Sequence, residues 1–144
     1  MDWILEERLA IGTVVEARRV DVLRAGAFRS VLALIESTAD EDELAQAGLQ
    51  EIEVESVPLI DGPGNDPDRL ERARRILADL VENAAPVLVH CQAGRSRSVV
   101  VVAAYLAHAR GLGADDALAF VTERREAAVQ PALAELLRRS VANR

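Results

Sequence analysis

The feature that most constrains the fold of this chain is a short apolar run followed by a polar loop and a second apolar run. The first run is Val87 to Val89, and residues 90–98 then read His-Cys-Gln-Ala-Gly-Arg-Ser-Arg-Ser. The second run extends from Val99 to Ala107. A buried strand that turns through a glycine-containing loop into a buried helix is typical of α/β proteins. The sequence therefore predicts an α/β fold with this loop at the carboxyl end of a strand.

The second apolar run is ambiguous when its residues are considered alone. Val99 to Val102 are four consecutive β-branched residues, which favour a strand by local propensity. The apolar character nevertheless continues up to Arg110 and Gly111, a length typical of a buried helix with a glycine stop. We therefore predict a helix for this run.

The rest of the chain alternates strand-like and helix-like segments, with no internal repeat. Strands are predicted at Phe28 to Ile35, Leu49 to Val57 and Pro86 to His90, and as a pair of edge strands within Ile4 to Val15. Helices are predicted at Glu16 to Ala25, Asp40 to Ala47, Pro67 to about Asn83, Ala114 to Arg125 and Pro131 to Val141. We expect a single domain over residues 1–144, with a central, mostly parallel sheet of about four or five strands flanked by helices.

Composition narrows the class of protein. The chain has 144 residues, of which 50% are hydrophobic, and its 24 acidic and 17 basic residues give a net charge of −7. An acidic chain without a basic run argues against a binder of nucleic acid or of an anionic membrane. The single cysteine, Cys91, excludes an intramolecular disulfide, and the acidic N-terminus does not resemble a secretory signal. We therefore expect a cytoplasmic protein.

The loop after Val89 combines a nucleophile with groups that bind anions. Successive backbone N–H groups around Cys91, at the start of a helix, form an anion site, and the Arg97 guanidinium closes it. Such a site holds a phosphate-like dianion from several sides. The same positive surroundings lower the pKa of the Cys91 thiol and favour a thiolate nucleophile.

These residues resemble the HCx5R[ST] signature of the cysteine-dependent protein tyrosine phosphatases, because His90-Cys91 is followed after five residues by Arg97-Ser98. The chain length is similar to that of the compact dual-specificity branch, and the likeness covers nearly the whole chain. Further similar segments are residues 8–12 and 28–32, which resemble two strands of that branch, residues 57–61, which resemble its acid loop, and residues 117–121, which resemble a late helix.

The resemblance implies a role for each residue of the loop. Cys91 attacks phosphorus and forms a thiophosphate intermediate, Arg97 binds two phosphoryl oxygens, and Ser98 donates a hydrogen bond to the departing sulfur. His90 orders the loop. The substrate-binding loop comprises Gln92, Ala93, Gly94, Arg95, Ser96 and Arg97. Such a mechanism needs no metal and no cofactor, and phosphate and vanadate inhibit it.

A general acid is needed to protonate the leaving oxygen. Asp61 is our choice, because it follows Val57-Pro58-Leu59-Ile60 in a turn-rich loop, where similar enzymes carry this aspartate. Asp66 and Asp68 are the competitors, although their position at the start of a helix already explains them as capping and first-turn acids.

Three further residues or pairs are assigned no catalytic role. His108 is the second of only two histidines, which makes a metal centre implausible. Arg124 and Arg125 are interpreted as solvated helix arginines, with help in binding a second phosphate as the alternative. Gln130 only weakly resembles a glutamine that places the hydrolytic water in other tyrosine phosphatases.

The substrate is the least determined property. Aromatic residues make up 3% of the chain, and none occurs near the loop or Asp61, which favours a shallow cleft for phosphotyrosine and for phosphoserine or phosphothreonine. The alternatives are a phosphatase for a phosphoinositide, inositol phosphate or nucleotide, and a phosphate-binding adaptor without catalysis.

The single cysteine excludes an arsenate reductase that relays electrons through several thiols. Sulfur transfer is disfavoured because Arg97-Ser98 and Asp61 fit phosphoryl chemistry better. The oligomeric state is left open.

Overall fold

The computed structural model of the protein describes the backbone of residues 1–36 and 41–144 and the side chains of 1–36 and 44–144. Five strands and seven helices occur in this part of the chain. Their order is β1 (Asp2–Leu5), β2 (Leu9–Gly12), α1 (Val14–Ala17), α2 (Val20–Ala25), β3 (Ser30–Ala33), α3 (Glu41–Gln46), β4 (Glu53–Ser56), α4 (Pro67–Asn83), β5 (Val87–His90), α5 (Arg97–Arg110), α6 (Ala114–Thr122) and α7 (Pro131–Ala142).

The strands form one sheet in the order β1-β2-β5-β3-β4. Only β1 is antiparallel to its neighbour, β2; the other three pairings are parallel. The central strand β5 is buried along its whole length, which explains its uninterrupted apolar sequence. The expected mostly parallel sheet flanked by helices is thus confirmed.

Helices cover both faces of the sheet, and the alternation of side chains along the strands separates two cores. Val87 and Val89 of β5 face the larger core, which α4, α5, α6 and α7 complete. Leu88 faces the smaller core, where it packs with Leu23 and Phe28. The central strand therefore has no polar face, and its carboxyl end is fixed by packing on both sides.

On the larger face, the start of α4 and the end of α5 lie where the sequence predicts. Asp66 caps α4 by accepting a hydrogen bond from the Asp68 amide at 3.0 Å, and Pro67 occupies the first turn. The four valines Val99–Val102 lie in α5 and are fully buried, as predicted for a helix rather than a strand. The helix ends at Gly111, whose φ of 65° is the left-handed conformation that favours glycine.

Two predictions near the N-terminus are wrong. The first is that β2 is an edge strand: it lies between β1 and β5, so of the predicted pair β1 alone is at an edge of the sheet. The second is one helix over Glu16 to Ala25, which is instead split into α1 and α2. Thr13 caps α1 through a reciprocal pair of hydrogen bonds with Glu16, which starts the helix earlier than predicted. Arg19 is then extended, at φ −90° and ψ 118°, and interrupts the helix.

Two smaller differences remain. The predicted start of α3 at Asp40 lies outside the described residues, and α6 ends at Thr122 instead of Arg125. Residues 123–130 leave the helix and run back towards the loop after β5, where the amide of Ala128 donates to the Arg95 carbonyl at 3.0 Å. No helix in the described ranges has the length and apolar character needed to cross a membrane.

Candidate active site

The cysteine loop, residues 91–96, connects the carboxyl end of β5 to the start of α5. Two hydrogen bonds hold it to the ends of the neighbouring strands. The amide of Leu34, just after β3, donates to the His90 carbonyl at 2.9 Å, and the amide of Val14, just after β2, donates to the Gln92 carbonyl at 3.0 Å. The loop is therefore at the edge of the sheet where parallel α/β proteins bind their ligands.

Cys91 is buried at the base of this loop, with 2% of its surface exposed. Burial raises the pKa of its thiol, but hydrogen bonds from Ser98 and the Gly94 amide, with the charge of Arg97, lower it more. The net pKa is below the ordinary value of 9.0. The buried Ser98 hydroxyl has no other partner among the described groups, so it is available to donate to the Cys91 thiolate. The arrangement favours a thiolate at the base of an anion-binding loop.

Arg97 begins α5 and lines a cavity of about 700 Å³ beside the cysteine loop. One terminal nitrogen of its guanidinium donates to the Leu59 carbonyl at 3.3 Å. Its Nε is buried and has no partner in the described part of the chain. A buried donor without a partner is rare in folded proteins, and an oxyanion bound in the loop would supply the missing acceptor.

His90 is buried directly before the nucleophile. Burial lowers the pKa of its imidazole, which outweighs the opposing hydrogen bond to the Cys91 carbonyl. That bond joins Nδ1 and the carbonyl oxygen at 3.1 Å. Because a carbonyl only accepts, the neutral ring carries its proton on Nδ1. This geometry supports the expected loop-ordering role, since it fixes the peptide that follows Cys91.

Gly94 allows the cysteine loop to pass close to the end of β2. Its φ is +66°, and a Cβ built on it would lie 2.4 Å from the Gly12 carbonyl oxygen and 2.6 Å from a terminal nitrogen of Arg125. Any side chain here would therefore displace backbone atoms. On the other side of the loop, the Ser96 hydroxyl accepts a hydrogen bond from the Gln130 amide at 3.1 Å.

Arg125 is the residue near the cysteine loop whose surroundings the sequence interpretation misjudged. It is not solvated: only 8% of its side chain is exposed. Its guanidinium donates to three carbonyls, those of Gly94 at 2.5 Å, Ala93 at 3.1 Å and Ile11 at 3.1 Å. It also pairs with the Asp2 carboxylate at 2.9 Å. Because Arg125 holds the carbonyls of residues 93 and 94 outside the loop, it leaves the loop amides free to face an anion.

The three acidic candidates differ in their surroundings. Asp61 is exposed in the loop of residues 58–66, which borders the 700 Å³ cavity, but its own side chain does not line that cavity. Asp66 lines the cavity together with Arg97, and its carboxylate is engaged as the cap of α4. Asp68 is exposed on the first turn of α4 and lies outside this cavity.

Arg95 is part of the cysteine loop. The side chains of the other residues singled out in the sequence do not join the site. Arg124 is on the surface, where its guanidinium stacks over the Phe120 ring at 3.6 Å. His108 lines a separate cavity between α4, α5 and α7. Gln130 contacts the cysteine loop only through its backbone. Arg95 is half exposed and lies 3.9 Å from Glu126. Within the described side chains, no group of three or more potential metal ligands occurs.

Comparison with known proteins agrees with this geometry. The family model "Dual specificity phosphatase, catalytic domain" matches residues 12–138. Dual specificity protein phosphatase 1B of Arabidopsis thaliana is 28% identical over 125 residues, which are 86% of this chain and 71% of that protein. Three other curated phosphatases match over only 39%, 10% and 17% of their own lengths, so the chain spans less than two thirds of these relatives.

Solved structures with the same fold include the following two. The structure of human DUSP28 superposes with a TM-score of 0.84 at 22% identity, covering 99% of this chain and 96% of that one. PTPMT1, solved in complex with PI(5)P, has a TM-score of 0.75 at 21% identity, covering 96% of this chain and 92% of that one. Because the family model spans most of the sequence, the chain belongs to the dual-specificity branch of the cysteine-dependent protein tyrosine phosphatase superfamily.

Proposed function

We propose that the protein hydrolyses phosphomonoesters through a cysteinyl-phosphate intermediate, and that its substrates are phosphotyrosine and phosphoserine or phosphothreonine in proteins. One observation carries the proposal: a thiol of lowered pKa lies at the base of a loop whose arginine has a buried donor without a partner. Together these groups supply a nucleophile and a receptor for the charge that develops on the phosphoryl oxygens.

In the first step the Cys91 thiolate attacks phosphorus. A sulfur–phosphorus bond forms while the bond to the leaving oxygen breaks. The amides of residues 92–96 and the guanidinium of Arg97 bind the three remaining phosphoryl oxygens. Arg97 turns its buried Nε and one terminal nitrogen to two of these oxygens. Its charge is then positioned before the reaction, which is where preorganised donors contribute most.

The leaving oxygen takes a proton from the carboxylic acid of Asp61. In the second step the same group, now a carboxylate, accepts a proton from the water that attacks phosphorus. The sulfur–phosphorus bond breaks, and the thiolate leaves with a hydrogen bond from Ser98. We assign the acid to Asp61 because its carboxylate makes no capping bond to any described residue, whereas that of Asp66 is engaged with the Asp68 amide.

The walls of the cavity support a substrate of mixed character. The lining residues in the described part of the chain are Ile35, Glu36, Pro58, Leu59, Ile60, Gly64, Asn65, Asp66, Arg69, Gln92 and Arg97. None of these is aromatic, so no flat slot selects the phenyl ring of phosphotyrosine. Two of them are acidic and two are basic, so the wall carries no excess of positive charge, and the net charge of −7 on the chain disfavours a highly anionic headgroup.

A phosphoinositide or another non-protein phosphate is the second candidate substrate, favoured by the likeness in fold to PTPMT1 solved with PI(5)P.

We place the activity in the cytoplasm, because a reactive thiolate without a second cysteine needs a reducing compartment.

The first experiment is hydrolysis of p-nitrophenyl phosphate in excess chelator at mildly acidic pH, for the wild type and Cys91→Ser. We expect a metal-independent rate that vanishes in the variant and that phosphate and vanadate inhibit. A folded wild type that binds vanadate but shows no rate would refute the enzyme and support a phosphate-binding adaptor. Rates on phosphopeptides, inositol phosphates, phosphoinositides and nucleotides then decide the substrate; a preference for any of the last three would overturn the protein-phosphatase assignment.

A further inference from the structure

The side chain of Asn65 closes the loop that carries Asp61. Its Oδ1 accepts a hydrogen bond from the Ile60 amide at 2.8 Å, and its Nδ2 donates to the Ile60 carbonyl at 2.8 Å. The same Nδ2 donates to the Gly62 carbonyl at 3.3 Å. The Asn65 side-chain amide thus pairs with both backbone polar groups of Ile60, as a peptide group does in a β-sheet, and it joins the two ends of the six-residue turn 60–65.

These bonds restrain the backbone on both sides of Asp61. The Ile60 carbonyl belongs to the peptide plane that precedes the Asp61 Cα, and the Gly62 carbonyl belongs to a plane shortly after it. Gly64, at φ +106°, provides the reversal that returns the chain to Asn65. The Asn65 side chain therefore restrains the backbone segment that carries the Asp61 carboxyl.

The base of the same loop is anchored to the sheet and to the catalytic arginine. The Leu59 amide donates to the Leu34 carbonyl at 3.0 Å, and the Leu59 carbonyl accepts from Arg97 at 3.3 Å. The adjacent Pro58 carbonyl accepts from Arg69 at 3.1 Å. The part of the loop that needs a restraint of its own is consequently the tip, and Asn65 provides it.

Asn65 also lines the cavity beside Arg97, so direct binding of substrate is the competing role. A primary amide has two N–H donors and one carbonyl oxygen. Here both donors and the oxygen are engaged with the backbone of Ile60 and Gly62. The amide has no free donor for a phosphoryl oxygen, which argues against a direct contact.

We propose that Asn65 is a positioning residue: it holds the tip of the 58–66 loop so that Asp61 delivers its proton to the leaving oxygen. The inference rests on the proposed function and adds a residue to its machinery. Because an acid matters most when the leaving group is poor, loss of the restraint has a specific kinetic signature.

The test compares Asn65→Ala, Asp61→Asn and wild type on p-nitrophenyl phosphate and phenyl phosphate, which differ in the basicity of the leaving oxygen. We expect Asn65→Ala to lower kcat/KM, which reports formation of the intermediate, at least about tenfold more on phenyl phosphate than on p-nitrophenyl phosphate, in the same direction as Asp61→Asn. The double variant loses little beyond Asp61→Asn alone, since both changes act on the same proton transfer.

Asn83→Ala is the matched control, because Asn83 bonds only to Asp79 at the end of α4. The inference would be overturned if Asn65→Ala reduced the rate equally on both substrates, or behaved like Asn83→Ala, while Asp61→Asn still lost more activity on phenyl phosphate. Absence of the signature in Asp61→Asn itself would instead overturn the choice of acid, and activity in Cys91→Ser would overturn the proposed function.

Amide hydrogen exchange gives a second readout that does not depend on turnover. The Ile60 amide is protected by Asn65 alone among the described groups, so its exchange accelerates in Asn65→Ala. Exchange of the Leu59 amide, whose acceptor is Leu34, stays as in the wild type. Unchanged exchange at Ile60 would refute the restraint directly.

Discussion

Replacing Arg125 with methionine is the perturbation that best tests how the cysteine loop is held. Methionine keeps much of the apolar stem and removes all the hydrogen-bond donors. The carbonyls of Gly94, Ala93 and Ile11 then lose their partners in a site where only 8% of the arginine side chain is exposed. The change therefore affects stability and the shape of the anion site together.

The magnitude follows from these contacts. A hydrogen bond from a charged group contributes about 1.5–3 kcal/mol, and such contributions are not additive. The pair with Asp2 adds little, because that carboxylate is 48% exposed and solvent screens it. We expect a loss of about 3–5 kcal/mol in the free energy of unfolding. For a chain of this size that corresponds to a decrease in Tm of roughly 6–20 °C.

Two assays measure the consequences: thermal unfolding, and equilibrium binding of vanadate at a temperature where the variant is folded. We expect vanadate affinity to fall about 10–100-fold, because the loop amides are no longer held towards the anion; each tenfold change is about 1.4 kcal/mol.

The matched control is Arg124→Met, since Arg124 lies on the surface over the Phe120 ring. The loss of that contact costs about 0.5–1 kcal/mol and leaves vanadate binding unchanged. If Arg125→Met has the same Tm and vanadate affinity as Arg124→Met, the hydrogen bonds of Arg125 do not shape the loop and our reasoning is wrong.

Three further predictions concern the same loop. Ser98→Ala raises the pKa of Cys91, because it removes a hydrogen bond that favours the thiolate, and it slows breakdown of the intermediate. The pH dependence of iodoacetamide labelling measures the pKa, and rapid-quench trapping measures the breakdown. A labelling curve that does not shift would contradict the expected change in pKa. Gly94→Ala abolishes vanadate binding, since its Cβ would lie 2.4 Å from the Gly12 carbonyl; wild-type affinity in a calorimetric titration would exclude the clash. Burial lowers the pKa of His90 in the folded protein, so the unfolded chain takes up the histidine proton at a higher pH than the folded chain does. The stability of the fold is therefore highest above pH 6.5, the usual pKa of histidine, and decreases as the pH falls below that value. His90→Asn should therefore lose less stability than the wild type between pH 7.5 and 5.5 in urea titrations, and an identical loss would assign the effect to other groups.

The parts of the fold that could be predicted are those where one local signal dominates. Asp66-Pro67 at the start of α4 and Gly111 at the end of α5 are capping signals that act within a single turn. The apolar sequence of β5 reflects burial on both faces of a central strand. Cys91 and Arg97 are close in sequence, and one loop places them together. Their spacing predicts a common site when it is taken together with the strand before the loop, His90, Gly94, Ser98 and the apolar helix after the loop.

The parts that could not be predicted depend on contacts between distant segments. The position of β2 inside the sheet follows from its parallel pairing with β5, which lies far away in sequence. The sequence does not distinguish Asn65 from other polar residues, because polar residues of every kind are common in turn-rich loops. Arg124 and Arg125 are indistinguishable by sequence, yet one is exposed and the other is buried beneath the cysteine loop.

The difference between these two arginines arises from the end of α6. Because α6 stops at Thr122, the chain turns towards the cysteine loop, and Arg125 meets the carbonyls of Ala93 and Gly94. Burying a guanidinium is unfavourable unless acceptors surround it, and here three carbonyls and the Asp2 carboxylate do so. The charge thus remains inside the protein because it satisfies the outward-facing carbonyls of the loop, and the amides on the opposite side of those peptides are left for the substrate.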